Sequence, residues 1–142
     1  MTTKLNCILL IDDDEPTNFL NRITVEQVNC TRHIQIVQSG QEALDFLMHK
    51  GKYEYVPDLL HPDLIFLDIN MPAMDGWEFL SKYRQLPSEQ KACIVMIMLT
   101  TSLNPDDHLR AREIPEVNGF EHKPLKVDRL KEILKSYFPD KA

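Results

Sequence analysis

The sequence predicts an α/β protein, a five-stranded parallel sheet in the order 2-1-3-4-5 with helices on both faces. Three observations carry this. Apolar runs of strand length alternate five times with stretches of helical apolar spacing, and strict βα alternation implies parallel strands joined by right-handed crossovers. Cys7-Ile8-Leu9-Leu10-Ile11, Leu64-Ile65-Phe66-Leu67 and Ile94 to Leu99 are continuously apolar, as strands buried on both faces are. The run His33 to Val37 alternates and Gly119 to His122 is largely polar, which suits the two edges. With 142 residues, 43% of them hydrophobic, the chain can bury one core and reads as a single domain over residues 1–142.

Each element has its own local signal. After the first strand, Pro16 stands in the first turn of a helix, where its missing N–H is no loss, and Phe19, Leu20 and Ile23 supply the apolar side of that helix. In the second unit Ile34 and Ile36 share one face of the strand; Ser39-Gly40 then opens a helix with Ala43, Leu44, Leu47 and Met48 at helical spacing. Gly51 to Pro62 reads as a connection. Asp75-Gly76 precedes the third helix, which carries Phe79, Leu80 and Tyr83 and is closed by Pro87-Ser88. Asn104-Pro105-Asp106-Asp107 combines a side-chain cap, a first-turn proline and early acidic residues at the start of the fourth helix. Ile114-Pro115 ends that helix, because the residue before proline is disfavoured in the helical region. The last helix presents Val127, Leu130, Ile133, Leu134 and Tyr137 before Pro139 stops it.

Charge and cysteine usage narrow the function. Lys+Arg 16 against Asp+Glu 22 leaves a net charge of −6, which argues against direct nucleic-acid binding, since that requires a basic surface, and favours a protein partner. The longest apolar run, Ala92 to Leu99, is far short of the ~20 residues of a membrane-spanning helix. No secretory signal pattern opens the chain, so no membrane association is expected. Cys7, Cys30 and Cys93 are odd in number and form no CxxC, which suggests neither a disulfide framework nor a zinc site and makes the cytoplasm the expected location.

In a sheet of this order, ligands bind beyond the carboxyl ends of the strands, at the switch between strands one and three. Strand one runs into Asp12-Asp13-Asp14-Glu15, and strand three into Asp68-Ile69-Asn70-Met71-Pro72. Two acidic segments thus converge on one crevice, and carboxylates so close repel unless something neutralises them. A hard divalent cation is the economical answer, because Mg2+ binds through one or two carboxylates plus waters and phosphate oxygens. Thr100-Thr101-Ser102 ends strand four and Lys123 ends strand five, adding hydroxyl and ammonium donors. Phosphoryl transfer needs mainly positioning and charge neutralisation, and a carboxylate among these groups can act as nucleophile and form an aspartyl phosphate.

In these segments the chain resembles the receiver domains of two-component response regulators, over Leu5 to Phe138. The matching pieces, in order, are Leu9-Leu10-Ile11-Asp12-Asp13, the stretch Pro62 to Gly76 around Leu67-Asp68-Ile69-Asn70-Met71-Pro72, Leu99-Thr100-Thr101, and Lys123-Pro124-Leu125. The resemblance implies a flavodoxin-like receiver fold in which Asp68 is the phospho-acceptor. It further implies that Asp12, Asp13, Asp68 and the main-chain carbonyl of Asn70 hold Mg2+, that Thr100 and Lys123 contact the phosphoryl oxygens, and that the Lys123-Pro124 bond is cis. Phe120 matches the family's switch aromatic: Thr100 moves inward toward the phosphoryl group, the aromatic follows, and the face made by the fourth helix, fifth strand and last helix is remodelled. The implied protein is a signalling switch, not a metabolic enzyme, although it catalyses its own phosphorylation and dephosphorylation. Its donor is a phosphohistidine on a sensor histidine kinase or histidine phosphotransfer domain, and its output is contact with a downstream protein target, as a monomer or weak dimer. Few residues follow the last helix, so output through a partner is expected, either from a stand-alone protein of the chemotaxis-messenger or phosphorelay-intermediate kind or from a receiver that is part of a larger protein.

This sequence departs from the family pattern in places. Thr101 stands where a smaller residue is usual, and Ala111 to Asn118 contains Pro115 in place of small residues, which bears on the shape of the signalling face. Asn70 and Ser102 occupy positions that tune phosphoryl lifetime.

Singly, the motifs are ordinary. Asp12 to Glu15 suits any helix start, Asp68 and Asp75-Gly76 suit turns, Thr100 and Ser102 suit a loop, and Lys123 suits a solvated edge. Phe120, Trp77 and the methionines suit packing, and the five histidines show no metal spacing. Three other functions compete. A magnesium-dependent phosphohydrolase of the haloacid dehalogenase type needs a second Asp two residues after the nucleophile, where this chain has Asn70. A flavodoxin-like carrier binds a flavin phosphate that Asp12 to Glu15 would repel. A receiver-fold interaction module without phosphorylation would have no use for the intact acidic set.

Overall fold

The computed structural model describes residues 4–57, 59–91 and 94–141; Ala92 and Cys93 lie outside them. Five strands, β1 (Leu5–Ile11), β2 (Thr31–Val37), β3 (Leu64–Leu67), β4 (Val95–Thr100) and β5 (Gly119–His122), pair in parallel in the order β2-β1-β3-β4-β5. This is the predicted sheet, with its three apolar strands central and the alternating and polar strands at the edges. Between the strands run α1 (Glu15–Val28), α2 (Gly40–Met48), α3 (Gly76–Arg84), α4 (Ser88–Lys91) and α5 (Pro105–Arg112), and α6 (Val127–Tyr137) follows β5.

The sheet separates two cores because successive strand residues point to opposite faces. Cys7, Leu9 and Ile11 of β1 join Ala43, Phe46 and Leu47 of α2, Phe79, Leu80 and Tyr83 of α3, and Ala111 of α5. Ile8 and Leu10 join Val25 of α1 and Leu130, Ile133 and Leu134 of α6. Four helices begin on the caps their sequences provide. Asp14, Ser39, Asp75 and Asn104 accept hydrogen bonds from the amides of Thr17, Glu42, Glu78 and Asp106 respectively.

Three expectations are corrected. The connection from Gly51 to Pro62 contains a 3-10 turn, Gly51–Tyr53, whose Tyr53 ring packs edge-on against Phe46 at 5.1 Å. After Pro87 the chain makes the additional short helix α4 before β4. Most consequential, α1 does not bury the side expected of it: Phe19 is 62% exposed, Leu20 56% and Ile23 37%, while Asn18, Asn21 and Val25 face inward. The physical reason is that the helix phase is set at its start by polar contacts, the Asp14 cap and an Asn18 side-chain amide on the Asp12 carbonyl. Positions 18, 21 and 25 form one stripe at helical spacing, and hydropathy points to the neighbouring one.

This orientation has a measurable consequence. Val25→Ala should cost about 2 kcal/mol in urea unfolding, from lost burial plus the cavity left behind. Phe19→Ser, although it removes a larger apolar group, should change stability by no more than about 0.5 kcal/mol. The reverse ranking would mean that α1 packs in the phase hydropathy suggests.

Candidate phosphoryl-transfer site

Register builds the site. Ile11 of β1 pairs with Leu67 of β3, so the next residues, Asp12 and Asp68, leave neighbouring strands at the same edge of the sheet. Both are buried, whereas the adjacent Asp13 is exposed. Asp12, Asp13 and Asp68 each offer a carboxylate oxygen, and the three oxygens lie within 4.8 Å of one another. From the end of β5, Lys123 reaches over both buried acids, its Nζ 2.5 Å from Asp12 Oδ2 and 3.2 Å from Asp68 Oδ1. The Lys123 amide donates to the Thr100 carbonyl at 2.9 Å, extending the β4–β5 pairing, and the Lys123-Pro124 bond is cis.

The loops are held by local bonds. The Asp14 amide donates to Asp12 Oδ1 at 2.9 Å, and Asp14 accepts from the Thr17 amide and hydroxyl. After β3 the chain doubles back in a γ-turn centred on Ala73 (φ 66°), where the Met74 amide donates to the Pro72 carbonyl at 2.7 Å. The Gly76 amide then donates to the Ile69 carbonyl at 2.7 Å, which brings the start of α3 onto the Asp68 main chain. Asn70 is exposed between buried Ile69 and Met71.

Thr100 is fully buried at the end of β4, and its hydroxyl accepts from the Ser102 amide at 3.1 Å. Ser102 in turn donates to Asp107 Oδ2 at 2.5 Å, anchoring the rim loop to the first turn of α5. Phe120 lies apart from the acids. Half-buried on β5, it stands 4.8 Å from the His108 ring and 5.7 Å from the His122 ring.

Burial pushes the Asp68 carboxyl above its ordinary value, the neighbouring Asp12 charge pushes the same way, and Lys123 offsets part of the effect. For Lys123, burial works against the ammonium, but its bonds to Asp12 and Asp68 prevail and hold its pKa above the ordinary lysine value. Because the folded value for Asp68 exceeds the unfolded one, the native chain binds more protons in the interval between them. Its contribution to stability therefore declines as pH rises through that interval, from 3.8 upward. The ionised site is held together at a cost that a cation would relieve. Carboxylates are hard oxygen donors, which suit Mg2+ or Mn2+.

The model of the response regulator receiver domain matches residues 8–135. The chain belongs to this family. As a receiver it is 34% identical over 107 residues to response regulator Rcp1 of Synechocystis sp., covering 75% of this chain and 69% of that protein. It is 33% identical over 135 residues to the probable methanogenesis regulatory protein FilR2 of Methanothrix harundinacea, covering 92% and 82%. A two-component response regulator of Cytophaga hutchinsonii superposes with a TM-score of 0.83 at 31% identity, over 96% of this chain and 99% of that one. A solved Mn(2+)-bound form of Rcp1 superposes at 0.72 with 30% identity, over 96% of both chains.

Receiver domains bind Mg2+ or Mn2+ in an acidic pocket, and this receiver has one in Asp12, Asp13 and Asp68. Among its described residues no helix is long and apolar enough to cross a membrane. Sequence reasoning missed the buried Asn18 beneath the pocket and the His108 and His122 rings around Phe120. It also missed Arg110, which lies 4.4 Å over the Trp77 ring and ties α5 to α3. A polar residue six positions after Asp12, in phase with Val25, was the available signal for Asn18.

Proposed function

We propose that this receiver, a single domain across the chain, is a phospho-accepting switch of a cytoplasmic two-component phosphorelay, with Asp68 as its acceptor. The observation that carries the reading is the Lys123 ammonium between two buried carboxylates, in a pocket where three carboxylate oxygens converge. An Asp68 oxygen attacks the phosphorus of a phosphohistidine on a sensor kinase or phosphotransfer domain. The P–O bond forms as the P–N bond breaks, and the imidazole leaves with the electron pair and takes a proton. Hydrolysis of the acyl phosphate later returns the carboxylate and inorganic phosphate.

Asp12, Asp13, Asp68 and the Asn70 carbonyl would hold Mg2+, which when bound neutralises charge on the phosphoryl oxygens. Lys123 binds a phosphoryl oxygen once Asp68 is phosphorylated, and the Thr100 hydroxyl, which accepts from the Ser102 amide, turns its own O–H to another. The change at Thr100 passes to Phe120 between its two histidines, and so to a downstream protein target that reads α5, β5 and α6. The protein is a switch with its own phosphorylation and dephosphorylation chemistry, not a metabolic enzyme.

Intact mass after incubation with acetyl phosphate tests this. Wild type with Mg2+ should gain one phosphoryl group, and both chelator and Asp68→Ala should abolish the gain. Labelling that survives in Asp68→Ala moves the acceptor elsewhere; absence of labelling and of cation binding in the wild type favours a receiver-fold interaction module.

A further inference from the structure

Helix α1 turns amides inward and apolar side chains outward, and it does so against the acidic pocket. Asn18 is 2% exposed and lines, with Asn21, Asp12, Asp68 and Leu99, a cleft too narrow to admit a water molecule. Its Nδ2 donates to the Asp12 main-chain carbonyl at 2.8 Å. Its Oδ1 is buried and has no hydrogen-bond partner among the described residues, and the cleft leaves no room for water to supply one. A buried acceptor left unpaired lowers stability and offsets part of what the bond to the Asp12 carbonyl contributes. The amide has a reason to be here beyond the stability of the fold.

The carbonyl it holds supplies that reason, because it belongs to the peptide joining Asp12 to Asp13. The orientation of that peptide sets the directions in which both side chains leave the backbone. The Asp12 side chain is itself held by the Asp14 amide and by Lys123, so the main chain beneath is the remaining freedom, and Asn18 removes it. We infer that Asn18 is a positioning residue for the cation site: by clamping the Asp12–Asp13 peptide from below, it aligns the two carboxylates. The inference rests on the cation-binding reading above and extends it to a residue that touches neither cation nor phosphoryl group.

The test uses the full chain with Asn18→Ala and Asn18→Val, measuring the melting midpoint without metal and the affinity for Mg2+ by calorimetry, with Mn2+ binding by electron paramagnetic resonance as a second probe. Both variants lose the hydrogen bond to the Asp12 carbonyl, which lowers the midpoint, and should in addition bind Mg2+ about 10–100-fold more weakly, the usual size of the effect when a group orienting a metal ligand is lost. A merely structural Asn18 gives a lowered midpoint with Mg2+ affinity unchanged, and that result overturns the inference. A wild-type chain that binds neither Mg2+ nor Mn2+ overturns the cation-site reading itself, and the wild-type titration alone reveals it.

Discussion

Lys123→Ala should destabilise the metal-free protein by about 3–5 kcal/mol at pH 7, the cost of removing one partner from a buried ion pair. Lys123 is the cation bridging Asp12 and Asp68, and without it two buried carboxylates face each other. The loss should shrink as pH is lowered, because burial and the Asp12 charge already hold the Asp68 carboxyl above its ordinary value, and protonating it removes the repulsion. Added Mg2+ should restore about 2.7 kcal/mol at a hundredfold excess over its dissociation constant, if it binds the folded state alone. Urea unfolding at pH 7 and pH 5, with and without Mg2+, measures all three effects. A loss below about 1 kcal/mol, of the size expected for an exposed pair, would show that the two acids part freely when the lysine is gone.

Gly76→Ala should cost about 1–3 kcal/mol, the usual penalty for overpacking. A Cβ at Gly76 would stand 2.6 Å from the Asp68 carbonyl oxygen and 3.0 Å from Ile69 Cα, and both are backbone atoms with no rotamer to yield. Either α3 or the Asp68 main chain must shift, so labelling by acetyl phosphate should fall along with the unfolding midpoint. Gly40→Ala is the control. Its Cβ would meet the Met74 sulfur at 2.6 Å, the far end of a flexible side chain, so the smaller loss of stability should come without a loss of labelling. Equal effects from the two substitutions would separate the Gly76 contact from the chemistry at Asp68.

The legible parts of this protein were those in which one residue's chemistry dictates its place. Asp14, Ser39, Asp75 and Asn104 were readable as helix starts because a short side chain next to unpaired amides has one favourable use, and all four serve as caps. The central strands were readable because β1, β3 and β4 are covered on both faces and admit little but apolar residues. The short helix α4 and the turn at Gly51–Tyr53 were not, because neither has a periodic pattern long enough to register. Phe120 was marked by resemblance, but its histidine neighbours come from α5 and from two residues along β5, and that meeting depends on packing.

The sequence by itself determined the sheet order and the convergence of the Asp12 and Asp68 segments, since alternating βα units allow few topologies and strand ends follow from where apolar runs stop. Only the tertiary structure decided which side of α1 faces inward and how Lys123, already placed at this rim by the sequence, spans both acids. Hydropathy ranks Phe19, Leu20 and Ile23 above Asn18 and Asn21, yet the hydrogen bond from the Asn18 side chain to the Asp12 carbonyl and the Asp14 cap set the helix phase the other way. Lys123 lies 55 residues beyond Asp68 in the chain, and its 3.2 Å approach exists because β5 pairs with β4 and β4 with β3. Directional hydrogen bonds and charge contacts between distant segments depend on positions in space, and a pattern of side-chain polarity along the chain does not contain them.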